Sequence, residues 1–470
     1  MTAQGHSHEL SKFAIPDGLM RLETTDEDIP GGEPGLRKHS QRNRDRIVWS
    51  VAFRRMAYKT QVFPHDAPDH FRRRLTHTIE VSQLATSLTN ILGLNSSACE
   101  AIALGHDIGH VAFGHAGEGA LDREIESLGI KLLQRRFSSL APPELKLVAQ
   151  SLGFGFTHYE QGLRVLDYLE EEYYTKRGDV IPGLGLAKAV KDGILKHSRK
   201  DFPKKWHKPV YDKILRNHPF RPFLDRPTYL EGQAVAFADY LSYFVSDLED
   251  GIRAKIIGFK DLEKFKIIES IKEWVAREAE KPGLINFGDD SQYKKFKRLI
   301  IKYVMVECLK ASQEKLGSVD AAKQDHEYAL KQTRNLILPC DLICNQMDEV
   351  YEECIRGKIH KHHLVVAANF KADKLIKELF VTFVKEPYLI PQDFVDANGQ
   401  HAYDHLYKSV STGECGIAVE ELIGFLEGNK EAAIRMFMAR DYISGMSDFF
   451  AGKKHAGLML ASQSLYELEA

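Results

Sequence analysis

Apolar side chains recur at helical spacing along most of the chain. Ile47, Val48, Val51, Ala52, Met56 and Ala57 follow one such pattern, and arginines 42, 44, 46, 54 and 55 take much of the remainder. Pro64 and Pro68 then forbid helix continuation. The pattern predicts a helix from about His70 to Leu92 and another from Ser97 to about Gly109. Further helices are expected over Gly162–Tyr174, Leu184–His197 and Gly232–Ile252. Residues 260–281, 293–315, 322–334, 339–356, 373–384, 416–428 and 431–438 show the same periodicity, whereas Ile130–Phe156 is poorly patterned. Strand-like alternation is scarce, with a short hairpin expected near 217–228. The expected fold is all-α.

Residues 1–38, rich in Gly, Pro, Ser, Thr and acids, read as a flexible lead-in. Residues 39–255 read as the core that carries the chemistry. Residues 256–470 read as a helical extension packed on it and engaged in oligomer contacts. With 64 basic and 66 acidic side chains the balance is near neutral, so no global basic field argues for nucleic acid. The six cysteines are scattered, and Cys340 and Cys344 alone do not make a zinc site, so reduced thiols in a cytoplasmic protein are expected. No charged start leads into an apolar secretory segment, and no apolar run nears the ~18 residues of a membrane span.

Residues 104–118 change the picture. His106, Asp107, His110, His115 and Glu118 stand among glycines and small apolar residues. On a helix, His106 and His110 would share a face, and His115 and Glu118, three apart, would reach each other. Burying five such groups without partners costs several kcal/mol, so the stretch reads as a site. One helix offers only two or three groups to a point, so a metal site must draw on several. His77, His106, Asp107 and Asp239 offer two imidazoles and two carboxylates from separate predicted helices. Such ligands suit Mg²⁺, Mn²⁺ or Fe²⁺ as well as Zn²⁺, with room for water and a phosphate oxygen.

This ordered H…HD…D arrangement resembles the HD hydrolase superfamily. Phe53–Phe63, Arg72–Val81, Gly105–His110 with Phe113–Glu118, Phe156–His158, Asp239–Asp250 and Asp441–Asp448 narrow the resemblance to the bacterial deoxyguanosinetriphosphate triphosphohydrolase family. It spans roughly residues 40–450. The resemblance implies metal ligation by His77, His106, Asp107 and Asp239, with Mg²⁺ or Mn²⁺ favoured over Fe²⁺, Co²⁺, Ni²⁺ or Zn²⁺. It implies removal of the whole triphosphate from a dNTP by attack at the α-phosphorus. His115 oriented by Glu118 would be the general acid, and His110 would contact or protonate a phosphate oxygen. Arg74, His158 and Lys196 would bind phosphates, Gln61 and Asp247 the sugar 3′-OH, and Tyr243 the sugar edge. The family also implies a homo-oligomer, with a hexamer favoured, and a dNTP or single-stranded DNA effector.

Two features depart from that pattern or stand outside it. Tyr240 occupies a position where the animal branch has lysine, so a phosphate contact must come from elsewhere, such as Lys196 or the loop with Lys204 and Lys205. The cluster Ile359–His363 sits amid lysines without a carboxylate and reads as a solvated basic face. The alternatives are another HD phosphohydrolase, acting on nucleoside monophosphates or cyclic nucleotides, and a dNTP- or DNA-binding regulator without catalysis.

Overall fold

Helix α9, Leu230–Arg253, is the axis of the fold: all but three of its residues are buried, so it is covered on nearly every side. A computed structural model describes residues 13–20, 37–61, 72–170, 173–174, 180–197, 226–278, 285–317, 337, 340–398, 417 and 419–459. Around the axis, in chain order, stand α1 (His39–Trp49), α2 (Val51–Arg55), α3 (Arg74–Ile91) and α4 (Ser96–Gly105). Next come α5 (Gly114–Arg136), α6 (Pro142–Ser151), α7 (His158–Arg164) and α8 (Lys188–Leu195). After α9 follow α10 (Lys266–Glu278), α11 (Tyr293–Gly317) and α12 (Asp341–Val350). The chain then forms α13 (His363–Lys385), α14 (Val419–Gly428), α15 (Lys430–Ser444) and α16 (Asp448–Met459). The all-α expectation holds, and no helix among the described residues is long and apolar enough to cross a membrane.

Several local expectations are revised. The stretch after Ile130 is helical: α5 runs to Arg136, and Pro142 and Pro143 open α6, whose Leu145, Val148 and Ala149 are buried. Instead of a helix over Gly162–Tyr174, α7 passes into a π-turn at Val165–Leu169 and a strand β1, Tyr173–Tyr174. That strand pairs antiparallel with β2, Val180–Ile181. The hairpin expected at 217–228 and the helix expected at 322–334 fall mostly or wholly outside the described residues, as do Lys204 and Lys205.

The apolar packing does not divide at residue 255. One buried cluster joins α1, α3, α4 and α7–α12, including Ile102, Leu241, Phe296 and Met347. The other joins α5 and α6 to α13–α16 through Leu121, Phe154, Phe380 and Phe437. Helix α5 thus belongs with the C-terminal helices, although its first turn carries His115 and Glu118.

Part of the supposed lead-in is also integral. Phe13, Ile15 and Met20 are buried in the first cluster. Asp17 accepts from the backbone N–H of His39 and Ser40 at the start of α1. Glu231, fully buried on α9, accepts from the N–H of Ile15 at 2.8 Å and of Asn95, the cap of α4, at 2.9 Å. Burial raises the Glu231 carboxyl to about 7, despite the opposing hydrogen bonds from Ile15 and Asn95. A carboxyl whose folded pKa exceeds its unfolded value destabilises the fold when ionised, so this cost grows from about pH 4.5 to about pH 7. Glu231→Gln keeps the accepting oxygen and removes the charge. Thermal melts should therefore show the variant a few degrees more stable than the parent at pH 8 and no more stable at pH 4.

Candidate metal centre and pocket

Helix α4 ends at Gly105, and the His-Asp pair lies in the turn beyond it. His106 is the cap, and its Nδ1 lies 2.6 Å from the Ala103 carbonyl, one of the acceptors that a helix end leaves free. That bond places an N–H on Nδ1 and turns Nε2 inward. His106 and His110 therefore do not share a helix face, as their spacing suggested. The chain instead turns from His106 to Gly109 and reaches a left-handed Phe113 (φ 65°) and Gly114 (φ 58°), from which α5 starts. A Cβ on Gly109 would lie 2.0 Å from the His158 carbonyl and 2.2 Å from the Gly162 nitrogen, so only glycine lets α7 come this close.

Helices α3 and α9 cross this turn and complete the cluster. His77 Nε2 lies 2.9 Å from Asp239 Oδ1, and His106 Nε2 lies 3.6 Å from Asp107 Oδ1 and 3.7 Å from Asp239 Oδ1. The Ser242 hydroxyl stands 3.3 Å from His77 Nδ1. These residues fit a divalent cation: His77, His106 and Asp107 converge within 4.8 Å, and the buried His106 Nε2 has no hydrogen-bond partner. Burial opposes charge on His106, but Asp107 and Asp239 outweigh it and lift the imidazole to about 9, so the cluster demands positive charge. Asp239, partly exposed, forms the open side.

The other groups form a row of imidazoles leading away from Asp239. His110 donates towards Asp107 at 3.1 Å and stacks on His158 with centroids 3.7 Å apart. Burial, then Arg74 and His158, hold His110 well below its usual pKa, so it is neutral. Glu118 is shared. Its oxygens lie 3.0 Å from His158 Nδ1 and 3.4 Å from His115 Nδ1, so it orients His158 more closely than His115. Desolvation works against charge on His115, but the Glu118 hydrogen bond and charge outweigh it, and the pKa is raised. The His115 side chain is 73% exposed, at the mouth of the site.

An open pocket is lined by Gln61, Arg74, His77, Asp107, His110, His115, His158, Asp239 and Tyr243. Arg74 gives Nη1 to Asp107 Oδ2 at 2.6 Å and Nη2 to the Thr60 carbonyl, so it braces a carboxylate of the cluster from the pocket wall. Gln61 Oε1 and Asp247 Oδ2 are buried without a hydrogen-bond partner. Asp247 lies behind Tyr243, whose phenol is held well above its usual pKa by burial and then by the Asp247 charge. Lys196 is not at the pocket: its buried ammonium pairs with Asp192 and bonds the Thr228 hydroxyl at 3.0 Å. Tyr240 lines the pocket and donates to Asp348 at 2.7 Å.

Three participants escape the sequence reading. His197, just past α8, lines the pocket with its ring 4.9 Å from that of His106. Burial, then the charges of His106 and His158, depress it to about 3. His360, expected on a solvated face, turns inward with Nε2 3.2 Å from the Tyr243 hydroxyl and 3.6 Å from Asp247 Oδ2. Asp448 accepts from the backbone N–H and hydroxyl of Thr60 and, at 2.9 Å, from the N–H of Phe113. One carboxylate thereby ties the Gln61 segment to the left-handed start of α5. Lys59 adds a second tie, donating to the carbonyls of His110 and Ser444 at 2.5 and 2.9 Å. Asp441 does the same for α7, accepting from Gln161 and Arg164. The Asp441–Asp448 motif signalled this role only as a motif, because its partners lie far away in sequence.

The HD domain family matches residues 74–243, which hold His77, His106, Asp107 and Asp239. A protein of Nitrosomonas europaea named deoxyguanosinetriphosphate triphosphohydrolase-like protein is 28% identical over 97% of this chain and 99% of its own length. Proteins of the same name from Geobacter sulfurreducens and Rickettsia felis are 31% and 30% identical, over 75% and 77% of this chain and 79% and 84% of theirs.

Removing the Asp448 carboxylate strands the buried N–H of Thr60 and the partly buried N–H of Phe113, at about 1–3 kcal/mol each. Asp448→Ala should lose about 2–6 kcal/mol in denaturant unfolding, and Asp448→Asn, which keeps one acceptor oxygen, clearly less. An Ala variant as stable as the parent would remove Asp448 from the scaffold of the site.

Proposed function

The chain belongs to the deoxyguanosinetriphosphate triphosphohydrolase-like family of HD-domain phosphohydrolases, and from that membership we propose hydrolysis of dGTP or another dNTP at the α-phosphorus. The products are the deoxynucleoside and tripolyphosphate. The observation that carries this reading is the convergence of buried His106 with His77, Asp107 and Asp239, the last three lining a pocket whose mouth holds His115 beside Glu118.

A divalent cation bound by those four residues, Mg²⁺ or Mn²⁺ foremost, would polarise the phosphoryl group and lower the pKa of a water. The remaining steps fall to this chain's own side chains. The 5′-alkoxide is a poor leaving group and requires a proton. His115 is the suitable donor, because Glu118 favours its charged form and its exposed ring reaches the pocket mouth. His110, kept neutral with its N–H directed to Asp107, is not poised to give one. Arg74 presents a hydrogen-bond donor to phosphate oxygens, and His158, oriented by Glu118, would stand beside the phosphates in the same pocket wall. Lys196 has no part in this scheme, because Asp192 and Thr228 already hold it. Gln61 Oε1 and Asp247 Oδ2, buried without a hydrogen bond although His360 lies 3.6 Å from the latter, would accept from a sugar hydroxyl, with Tyr243 in the pocket wall beside them. Assembly as a homo-oligomer, a hexamer foremost, and control by a dNTP or single-stranded DNA effector belong to the same proposal.

Ion-exchange analysis of products from each dNTP, alone and mixed, with Mg²⁺ or Mn²⁺, tests the cleaved bond. Deoxynucleoside plus tripolyphosphate is expected; monophosphate plus pyrophosphate would reject attack at the α-phosphorus. His115→Ala should bind Mn²⁺ normally and lose about 10²–10⁴ in kcat. Because a general acid must be protonated, the parent rate should fall as pH rises through the raised His115 pKa, and the variant should lack that alkaline limb. Tyr243→Ala should narrow the preference for dGTP over GTP, and an unchanged ratio would exclude a role in reading the sugar.

A further inference from the structure

His197 and His106 are built alike. Each follows the end of a helix, α8 or α4, and each directs Nδ1 at the carbonyl three residues back: Ile194 at 2.7 Å and Ala103 at 2.6 Å. In both, the bond fixes an N–H on Nδ1 and leaves Nε2 as the nitrogen that can give its lone pair to a cation. This is how a metal-binding imidazole is commonly held, its other ring nitrogen donating to a backbone carbonyl. The two rings meet edge to face, 4.9 Å between centroids, and His197 is buried to within 2% yet borders the pocket. Its ligating nitrogen, that of His106 and a carboxylate oxygen of Asp239 all lie within 4.8 Å of one another. Two donors each about 2.2 Å from one ion stand at most about 4.4 Å apart, so this grouping is close to the span of a shared cation.

We infer that His197 is a fifth protein donor to the metal centre, on the side of His106 and Asp239. The inference rests on the reading that His77, His106, Asp107 and Asp239 hold a cation, and extends it to a residue outside that set. The packing explains why the position suits a ligand. A Cβ on Gly193 would fall 2.7 Å from Ile102, so glycine lets the end of α8 press against α4 and brings the two imidazoles into one wall. A merely structural histidine would not need its lone pair turned to a carboxylate-rich pocket.

The test uses the full-length protein, stripped of metal and titrated with Mn²⁺, with Co²⁺ absorption as the report on coordination. The parent should bind one ion per chain. His197→Ala, with His197→Gln to retain bulk should Ala fold poorly, should weaken Mn²⁺ binding about 10–100-fold and alter the Co²⁺ ligand-field bands. His77→Ala is the reference for loss of a member of the original set. Parent-like affinity and bands in both His197 variants, with binding lost in His77→Ala, would overturn the inference and leave the metal reading standing. A second ion per chain, lost selectively in the His197 variants, would overturn the shared centre in favour of two. No binding by the parent would overturn both readings together.

Discussion

The buried ion pair between Arg74 and Asp107 is the interaction on which the site depends. Both side chains are within 6% of full burial, and the guanidinium also bonds the Thr60 carbonyl. Arg74 thus joins the first turn of α3, the loop before it and the turn after α4, the pieces that carry His77, Gln61 and the His-Asp pair. Losing one partner of such a pair strands a charge in the interior, typically at 3–5 kcal/mol. The Asp107 carboxylate is held well below its usual pKa against the cost of burial, by Arg74 first and then by His106 and His110. A fixed anion at this point orders the imidazoles around it.

The second constraint comes from the far end of the chain. The start of α5 lines the pocket with His115, but its body is packed against α13–α16. Asp448, Lys59 and Asp441 carry that packing into the pocket by bonding groups beside Gln61, His110 and His158. Each accepts or donates several bonds inside the protein, where an unpaired polar group is costly. The C-terminal helices therefore act as a frame for the chemistry, and a chain ending near residue 255 would lack half of that frame.

Much of this was legible from residue order. His77, His106, Asp107, His110, His115, His158 and Asp239 were readable as one site, and they do converge. Apolar periodicity located α3, α4, α8 and α9 within a few residues. It failed where local signals were mixed. The stretch Ile130–Phe156 looked poorly patterned and holds α6, opened by Pro142 and Pro143; Phe13 and Ile15 looked like a tail and are core. His106 and His110 were spaced for a helix that Gly105 and the Ala103 carbonyl bring to an end. His197 and His360 carried no distinguishing neighbours, and Lys196 had the right type of side chain at a position that faces Asp192.

Taken alone, the sequence determined the all-α class, the residue types that gather in the pocket and the helices that bear them. Those properties follow from short-range periodicity and from residue types that are expensive to bury unless they serve one another. Only the tertiary structure decided which lone pairs face the pocket, that Glu118 serves two imidazoles, and that a carboxylate near the C-terminus holds the Gln61 segment in place. Those outcomes depend on distances of about 3 Å between groups up to 388 positions apart, and such distances are set by how helices pack, not by the pattern along any one of them.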